Sequence, residues 1–464
     1  MTLQQRKNID GTQACTARIA EVGHTILSRR DHELYSLLEQ EYGRQQDTLY
    51  MVAASSMAHP ATLVCGGMAT TNVTTEGYPG ARFHGGCHNV DGIERLAIER
   101  AKAAFNAQYA NVQPHSGTSA NLIVLFSMLN PGDTILGMGL DAGGHLSHGS
   151  PVSITGRFFN TVQYGVSDSG WLDYEQARAL AREHRPKLIV CGASSYARQV
   201  NYAEFRTIAD EVDAWLLADI SHVSGLVAGG VHPSPIEIAD FTTTSTYKQL
   251  FGPRGGLILM GSSHQKLGPD GKQSIAATIQ KGVFPLLQGT PDLSAIAGKA
   301  AALQQVATPA FRLLSRRIVD NALTLTSALE ARGYRFVTGG TDTHMALIDL
   351  RGTGLSGAAA ERALEACGII VNKNMIPGDP TSARVTSGVR LGTNILSLRG
   401  MGDEQMLLCA ELFDEVLRAV RSAPASPIPE TVHASIRGAV TDLCRAFPVP
   451  DYPLAIEEPP GAME

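Results

Sequence analysis

The sequence predicts an α/β protein whose larger part is a mostly parallel sheet covered by helices on both faces. Between about residues 90 and 260, short apolar runs such as TILGM, KLIVCG and WLLADI alternate with helical patterns. Strands that alternate with helices favour parallel pairing through crossover connections. From about residue 335, the strand patterns HMALIDL and GVRLGT flank a helical pattern, which predicts a second, smaller α+β unit.

We expect three units along the chain. Residues 1–50 are polar, and DHELYSLLEQEYGRQQ carries apolar residues at helical spacing, which predicts a helical arm. Residues 51–290 hold the strand–helix alternation and form the larger unit, which ends in a Gly-, Lys- and Gln-rich connector from about 262. Residues 291–464 begin with a long linking helix to about 333, then give the smaller unit, helices near 402–421 and 430–445, and a proline-rich tail.

Composition excludes several classes of protein. With 464 residues, 44% of them hydrophobic, the chain is long enough for a substantial core, and a net charge of −6 argues against nucleic acid as a partner. The N-terminus has no apolar stretch typical of a secretory signal, and no run of about 18 apolar residues predicts a membrane span. Seven dispersed cysteines without C-x-x-C spacing predict reduced thiols, no metal site and a cytoplasmic location.

Several residues suited to chemistry follow predicted strands, where ligands of open α/β sheets bind. Asp219 closes WLLADI, and Lys248 follows the hydroxyl-rich run DFTTTST. The segment QPHSGTSAN leads from a strand end into a helix, so Ser116, Gly117 and Thr118 offer hydroxyls and backbone N–H groups to a phosphate. Each residue alone also has an ordinary structural explanation, as a helix cap, a strand-end carboxylate or a solvated lysine.

Together these residues fit pyridoxal 5′-phosphate. This cofactor needs a lysine amine for a Schiff base, a carboxylate at the pyridine nitrogen, a phosphate site and often an aromatic ring over the pyridine face. Lys248, Asp219, the segment 116–118 and His145 in GGHLSHG could supply these groups. An amino-acid substrate needs a carboxylate clamp, for which Arg390 is the candidate, with Arg254 and Arg384 left open.

The chain from about residue 30 to 446 resembles serine hydroxymethyltransferase, a fold-type I (aspartate aminotransferase-like) enzyme that depends on pyridoxal phosphate. The resemblance rests on segments that occur in the family's order and with similar gaps. They are EGYPGARFHGG, YANVQPHSGTSAN, GGHLSHGSPV, DISHVSGLVAGGVHPSP, TTTSTYKQLFGPRGG, VNKNMIPGDP and TSGVRLGT. The resemblance implies a large domain with a mostly parallel seven-stranded sheet and a smaller α+β C-terminal domain.

The resemblance also implies roles for individual residues. Lys248 would form the Schiff base, Asp219 would pair with the pyridine nitrogen and His145 would stack on the ring. His222 and Ser194 would contact the cofactor oxygen or the phosphate region.

Further implied roles concern the substrates. Arg390 would bind the substrate carboxylate, and Glu76 in TEGYPG would be an acid/base group that reaches across a homodimer to the substrate hydroxyl of the other subunit. Tetrahydrofolate is implied as a co-substrate. Positions of its site are present as Leu140, Gly143, Gly144, Leu146 and Asn374.

The chain departs from the family's usual pattern around the phosphate and the Cα side of the substrate, while the cofactor's ring partners are kept. Since Phe83 and His84 replace two tyrosines that lie near the folate in the family, use of tetrahydrofolate stays open. We include His84 and Thr74 among the candidate catalytic residues, Tyr247 and Thr290 among the cofactor contacts, and Ala54 among the substrate contacts. The departures are Tyr247 for a histidine, Thr74 for a tyrosine, Phe83 and His84 for two tyrosines, Ala54 and Ser55 for a serine and a glutamate, and Thr290 for a glycine.

These departures predict a changed substrate. A Cα methyl group needs extra room in a close-packed pocket, and Thr74 leaves room that a tyrosine would fill. In this respect the chain is similar to 2-methylserine hydroxymethyltransferase, which converts α-methyl-L-serine to D-alanine and a one-carbon unit. The alternatives are the ordinary serine/glycine enzyme and a folate-independent β-hydroxy-amino-acid aldolase or threonine transaldolase. A non-enzymatic relative is disfavoured because Lys248 and Asp219 are both present.

Overall fold

A computed structural model describes residues 3–422 and 428–449, with side chains from residue 17 onward. Two helices open the chain, α1 (Leu3–Arg30) and α2 (His32–Gln46). The carboxylate of Asp31 caps α2 by accepting a hydrogen bond from the backbone N–H of Leu34. No side chain of α2 is buried, so this helix presents its leucines to solvent. The predicted end of the tail, 450–464, lies outside the described residues.

The large sheet has seven strands in the order β4-β10-β9-β8-β7-β5-β6. Strand β10 is antiparallel to β4 and β9, and the other four pairings are parallel. The predicted α/β fold with a mostly parallel seven-stranded sheet is therefore confirmed. The strands up to β10 are β1 (Leu49–Tyr50), β2 (Gly77–Tyr78), β3 (Ala81–Arg82), β4 (Tyr109–Asn111), β5 (Thr134–Met138), β6 (Asn160–Tyr164), β7 (Leu188–Cys191), β8 (Trp215–Asp219), β9 (Phe241–Ser245) and β10 (Gly256–Met260).

Helices cover both faces of this sheet because successive strand residues point to opposite sides. On β8, Leu216 packs into a core that includes Phe205 of α8, whereas Leu217 packs into a second core that includes Ile123 of α5. Both leucines are fully buried. The helices from α3 to α10 are α3 (Pro60–Gly66), α4 (His88–Phe105), α5 (Gly117–Met128), α6 (Ile154–Phe158), α7 (Tyr174–His184), α8 (Tyr202–Glu211), α9 (Ser224–Ala228) and α10 (Ile275–Lys281).

The helical stretch predicted from 291 to 333 forms two helices, α11 (Leu293–Val306) and α12 (Pro309–Glu330), instead of one. Helix α12 starts anew because the hydroxyl of Thr308 caps it, accepting from the N–H of Phe311, and Pro309 occupies its first turn. Proline lacks an N–H and suits the start of a helix far better than its interior. The predicted connector 262–290 contains the short helix α10.

The smaller unit has a four-stranded antiparallel sheet in the order β11-β12-β15-β14, covered by helices. Strand β1 joins this unit by pairing with β13, and its Leu49 lies in the same core. The boundaries at 50 and 290 stay a prediction. The elements here are β11 (Arg335–Phe336), β12 (Met345–Asp349), β13 (Ile369–Ile370), β14 (Asn372–Asn374), β15 (Gly388–Gly392), α13 (Gly357–Ala366), α14 (Asn394–Leu398), α15 (Asp403–Ser422) and α16 (Glu430–Ala446).

Two features are absent from the described residues. No helix there has the length and apolar character needed to cross a bilayer. No group of three or more His, Cys, Asp or Glu side chains within residues 17–422 and 428–449 is placed to hold a metal ion.

Candidate active site

A cavity of about 270 Å³ lies beyond the carboxyl ends of β7, β8 and β9. It brings together eight of the residues selected from the sequence. These are Ser116, Gly117, Thr118, His145, Ser194, Asp219, Tyr247 and Lys248. The other lining residues are His115, Ala193, Ser221, Ser245, Arg254 and Gly255.

Lys248 follows β9, a strand whose five residues are all buried. The chain turns directly after it, since the N–H of Phe251 bonds to the carbonyl of Lys248 and that of Gly252 to the carbonyl of Thr246. The lysine side chain is only 6% exposed. Burial lowers the pKa of Lys248 to about 8, against the opposing effect of Asp219. A substantial fraction of this amine is therefore neutral near pH 8 and able to attack an aldehyde.

Asp219 ends β8 and is held by three hydrogen bonds. Its Oδ2 accepts from Asn121 Nδ2 at 2.7 Å and from His148 Nε2 at 3.0 Å, and its Oδ1 accepts from the N–H of Ser221 at 2.9 Å. Burial opposes ionisation, but the hydrogen bond and charge of His148 outweigh it, so the pKa of Asp219 lies below its usual range. An ionised carboxylate at this point can hold a proton on a bound heterocycle.

The sequence reasoning missed Asn121 and His148, which position this carboxylate. The hydroxyl of Thr243 donates to Asn121 Oδ1 at 2.5 Å, so the amide nitrogen of Asn121 faces Asp219. The only signal for His148 was its place three residues after His145, and no pattern distinguished the two rings.

The segment 116–118 forms the first turn of α5. Ser116 caps this helix, since its Oγ accepts from the N–H of Ser119 at 3.0 Å. The N–H groups of a first helical turn have no partner inside the helix and suit an anion. Gly256 allows the backbone to approach closely, because a Cβ there would lie 2.3 Å from the carbonyl oxygen of Ser116. The expected helix cap and the expected phosphate cradle thus coincide.

Two histidines near the cavity are neutral. Burial lowers the pKa of His145 to about 4, and its Nδ1 lies 2.7 Å from Ser147 Oγ. Burial also holds the pKa of His222 well below its usual range. His222 stacks on His344 with 5.8 Å between ring centroids, and its Nδ1 has no hydrogen-bond partner among the described residues. His222 is buried and is not one of the residues that line the cavity.

Arg390, on β15, connects the smaller sheet to the cavity. Its Nε donates to Asn372 Oδ1 at 3.2 Å, and one terminal nitrogen donates to the carbonyl of Ser194 at 2.5 Å. Burial lowers its pKa to about 10. No carboxylate within the described part of the chain pairs with this guanidinium, which can therefore take an anion from outside. Of the two alternatives, Arg254 lines the cavity and Arg384 is exposed.

Tyr247 lies between the cationic groups of the cavity. The guanidinium carbon of Arg254 stands 4.0 Å above its ring centroid, and Lys248 Nζ is 6.0 Å from that centroid. The backbone carbonyl of Tyr247 accepts a hydrogen bond from Ser56 Oγ. The tyrosine therefore orients Arg254 by a cation–π contact.

A second group of predicted residues does not line the cavity of its own chain. Thr74 and Phe83 are exposed, and Phe83 meets Phe284 edge-on at 5.4 Å. Glu76 Oε2 lies 3.1 Å from His84 Nε2. None of these four side chains lines the cavity, and all are exposed or partly exposed.

Two other predicted contacts lie close to the cavity without lining it. The backbone of Thr290 hydrogen-bonds His115, which does line it. Ala54 follows Ala53, whose carbonyl accepts from His344 Nε2 at 3.2 Å and from Asn394 Nδ2 at 3.1 Å.

The predicted folate positions lie around the loop that follows β7. The carbonyl of Gly143 accepts from the N–H groups of Ser194 and Ser195, and Asn374 Nδ2 donates to Ser195 Oγ at 3.3 Å. Gly144 packs so tightly that a Cβ would lie 2.0 Å from the carbonyl oxygen of Met138. The remaining two positions, Leu140 and Leu146, are exposed.

These groups fit pyridoxal phosphate. The cavity offers an amine, an ionised carboxylate and a helix N-terminus, and its lining carries two cationic side chains against one carboxylate. Ser245 Oγ and His222 Nδ1 are buried polar atoms without partners among the described residues. Such atoms usually have a partner, which a bound polar molecule can supply.

Comparison with known proteins agrees with this chemistry. A family model described as serine hydroxymethyltransferase matches residues 27–413. A serine hydroxymethyltransferase of Alkalilimnicola ehrlichii is 48% identical over 420 residues, covering 90% of this chain and 96% of the relative. A serine hydroxymethyltransferase of Methylococcus capsulatus is 46% identical over 420 residues, covering 90% of this chain and 97% of the relative. The chain therefore belongs to the serine hydroxymethyltransferase family, pyridoxal-phosphate-dependent hydroxymethyltransferases that use tetrahydrofolate as co-substrate.

Proposed function

We propose that the chain transfers the hydroxymethyl group of a small β-hydroxy-α-amino acid to tetrahydrofolate, with serine as donor and glycine as product. The names of relatives with nearly half their residues identical support serine. The observation that carries the proposal is the cavity that gathers Lys248 and Asp219 beside Arg390, a guanidinium with which no carboxylate of the described residues pairs.

The residues of the chain have separate roles in this proposal. Bound pyridoxal phosphate supplies an electron sink for bond cleavage at Cα. Lys248 would hold the cofactor through its amine, and Asp219 would keep the proton on the pyridine nitrogen. Arg390 orients the amino acid through its carboxylate, for which a guanidinium offers two parallel hydrogen bonds. Glu76 accepts the proton of the substrate hydroxyl, with His84 in hydrogen-bond contact.

Glu76 can take this role only if a second copy of the chain brings it to the cavity. Large apolar side chains on α3 and on the segment around Glu76 are exposed, including Leu63 at 64%, Val73 at 47% and Phe83 at 73%. Such a surface favours burial against another subunit. This exposed surface supports a homodimer with shared sites.

Mixing two inactive variants tests the shared site. Lys248→Ala and Glu76→Gln subunits, unfolded and refolded together, should regain part of the activity, because a hybrid dimer contains one complete site. Each variant refolded alone is the control. Absence of any recovery, with hybrid dimers present, would contradict sharing.

A second donor, α-methyl-L-serine, is favoured by one residue. Thr74 replaces the tyrosine usual in the family and leaves room for a Cα methyl group. D-alanine would then be the product. This reading and the serine reading predict opposite substrate preferences, so kinetics can separate them.

The Thr74→Tyr variant tests the second donor. A methyl group in a pocket is worth roughly 1–3 kcal/mol, so the variant should shift kcat/KM from α-methylserine toward serine by about 10- to 200-fold. The assay measures both donors in wild type and variant, with and without tetrahydrofolate. Thr207→Tyr, on the exposed side of α8, is the matched control.

The outcomes discriminate three readings. A wild type that prefers serine, with equal losses for both donors in the variant, supports the serine enzyme alone. Full turnover without tetrahydrofolate and with larger aldehydes would replace hydroxymethyl transfer by an aldolase or transaldolase reaction.

A further inference from the structure

Lys299 is a buried lysine that none of the roles above uses. It lies on α11 and is only 2% exposed. Its Nζ donates to three backbone carbonyls, at 2.6 Å to Val112, 3.0 Å to Pro114 and 3.1 Å to Gly256. Burial lowers the pKa of Lys299 to about 7, against the opposing effects of Asp292 and Glu94. The three acceptors favour the charged form, because an ammonium has three N–H groups and a neutral amine has two.

The three carbonyls belong to backbone that adjoins the cavity lining at residues 115–118 and 255. Val112 and Pro114 lie on the segment that connects β4 to the turn 116–118, and Gly256 begins β10. The N–H of Gly256 also bonds to the carbonyl of Pro114 at 2.9 Å, which joins the two segments. The lysine therefore fixes the floor under the first turn of α5.

Lys299 also stands directly behind a lining residue. A Cβ on Gly255 would lie 2.2 Å from Lys299 Cε and 2.8 Å from its Nζ. Because Gly255 has no side chain, Lys299 can pack against its backbone, and the other side of Gly255 lines the cavity. The charge of Lys299 also acts on His115, another lining residue. Burial is the main cause that lowers the pKa of His115, and repulsion from Lys299 is the second.

The carboxylates of Asp292 and Glu94 attract this charge and oppose the lowering of its pKa, but neither forms an ion pair with it among the described residues. No carboxylate among the described residues lies within 4.0 Å of it. A buried charge without a partner is costly, and the cost is reduced when an anion binds nearby.

We propose that Lys299 is a positioning residue for the phosphate group of the cofactor: it holds the backbone of the phosphate site in place and provides positive charge behind it. The proposal is independent of which amino acid the enzyme uses. It predicts that Lys299 affects cofactor binding according to the presence of the phosphate group.

The test compares two ligands on the apoprotein, pyridoxal phosphate and pyridoxal, which lacks the phosphate. In Lys299→Met the Kd for pyridoxal phosphate should rise by about 10- to 100-fold, the order expected for one charge acting through protein on a nearby anion. The Kd for pyridoxal should change by less than about 3-fold, since the aldehyde and ring contacts remain. Equilibrium dialysis gives both values without an activity measurement.

Three variants complete the design. Lys299→Arg keeps the charge, so the ratio of the Kd for pyridoxal to the Kd for pyridoxal phosphate should stay near wild type even where packing suffers. Lys299→Gln keeps N–H donors without the charge and should lower this ratio. It replaces Lys299→Met in the test if the methionine variant does not fold. Lys266→Met removes a lysine that pairs with Asp240 next to the start of β9, and should leave the ratio unchanged.

Equal losses of affinity for both ligands would show that Lys299 only holds the fold together and would overturn the proposal. An unchanged affinity for pyridoxal phosphate in Lys299→Met would overturn it as well.

Discussion

Replacement of Asp219 by asparagine tests the central electrostatic arrangement of the site. The carboxylate accepts from Asn121 and His148 through Oδ2 and from the N–H of Ser221 through Oδ1. An asparagine has one oxygen and one NH₂ group, so either orientation sets its NH₂ against at least one donor. Asn121 cannot rotate to compensate without losing the hydroxyl of Thr243.

The expected loss follows from the number of hydrogen bonds. The better orientation leaves one buried donor unpaired, which costs about 1–3 kcal/mol of unfolding free energy. The neutral amide also cannot hold a proton on the pyridine nitrogen, so kcat/KM should fall by at least about 10²-fold. Urea unfolding of the apoprotein measures the first effect, and the serine–tetrahydrofolate assay measures the second.

Asp168→Asn, in an exposed loop, removes a carboxylate far from this network and should change neither value. Near-normal activity of Asp219→Asn, with or without a loss of stability, would refute the reasoning and leave Asp219 as a structural residue at the end of a strand.

Two further predictions concern the lysine and the guanidinium of the same cavity. Arg390→Lys should chiefly raise the KM for the amino acid, because an ammonium cannot make two parallel hydrogen bonds to a carboxylate; an unchanged KM would transfer the role to Arg254. For Lys248, whose pKa is lowered to about 8, the rate at which the apoprotein takes up pyridoxal phosphate should rise as the pH rises through 8 and then level off, as followed by absorbance. The free energy of unfolding changes in the same direction. Between pH 8 and 10.5 the unfolded chain binds more protons at Lys248 than the folded chain does. The cost of burying this lysine is therefore largest below pH 8 and decreases as the pH rises. A flat loading rate would contradict this assignment.

Much of the fold was predictable because its strands are short apolar runs. Leu188–Cys191 and Trp215–Asp219 are buried on both faces, so their composition alone separates them from the amphipathic helices between them. The break between α11 and α12 was missed, although Thr308 and Pro309 form an ordinary helix start. Apolar residues continue across the break, so the sequence pattern predicted one helix. The cap at Thr308 and the proline after it determine the local structure instead.

The site was predictable where a residue follows a strand, as Asp219 and Lys248 do. Residues that act through another group were not predictable. His148 contacts Asp219 because of the turn after His145, which depends on tertiary packing. Lys299 carried a signal that could have found it: it is a lysine on a helix with buried Ile296, Ala300 and Leu303 around it, where a charge needs a reason to be buried.

The two hydrogen bonds of Arg390 have a consequence for how distant mutations should read out in kinetics. The guanidinium belongs to the four-stranded sheet, yet one of its donors is committed to Ser194, on the loop after a strand of the seven-stranded sheet. The distance between the two sheets thus sets where the remaining donors point. The orientation of Arg390 therefore depends on that separation. A substitution in the packing between the sheets, far from any ligand, should first change the affinity for the amino acid.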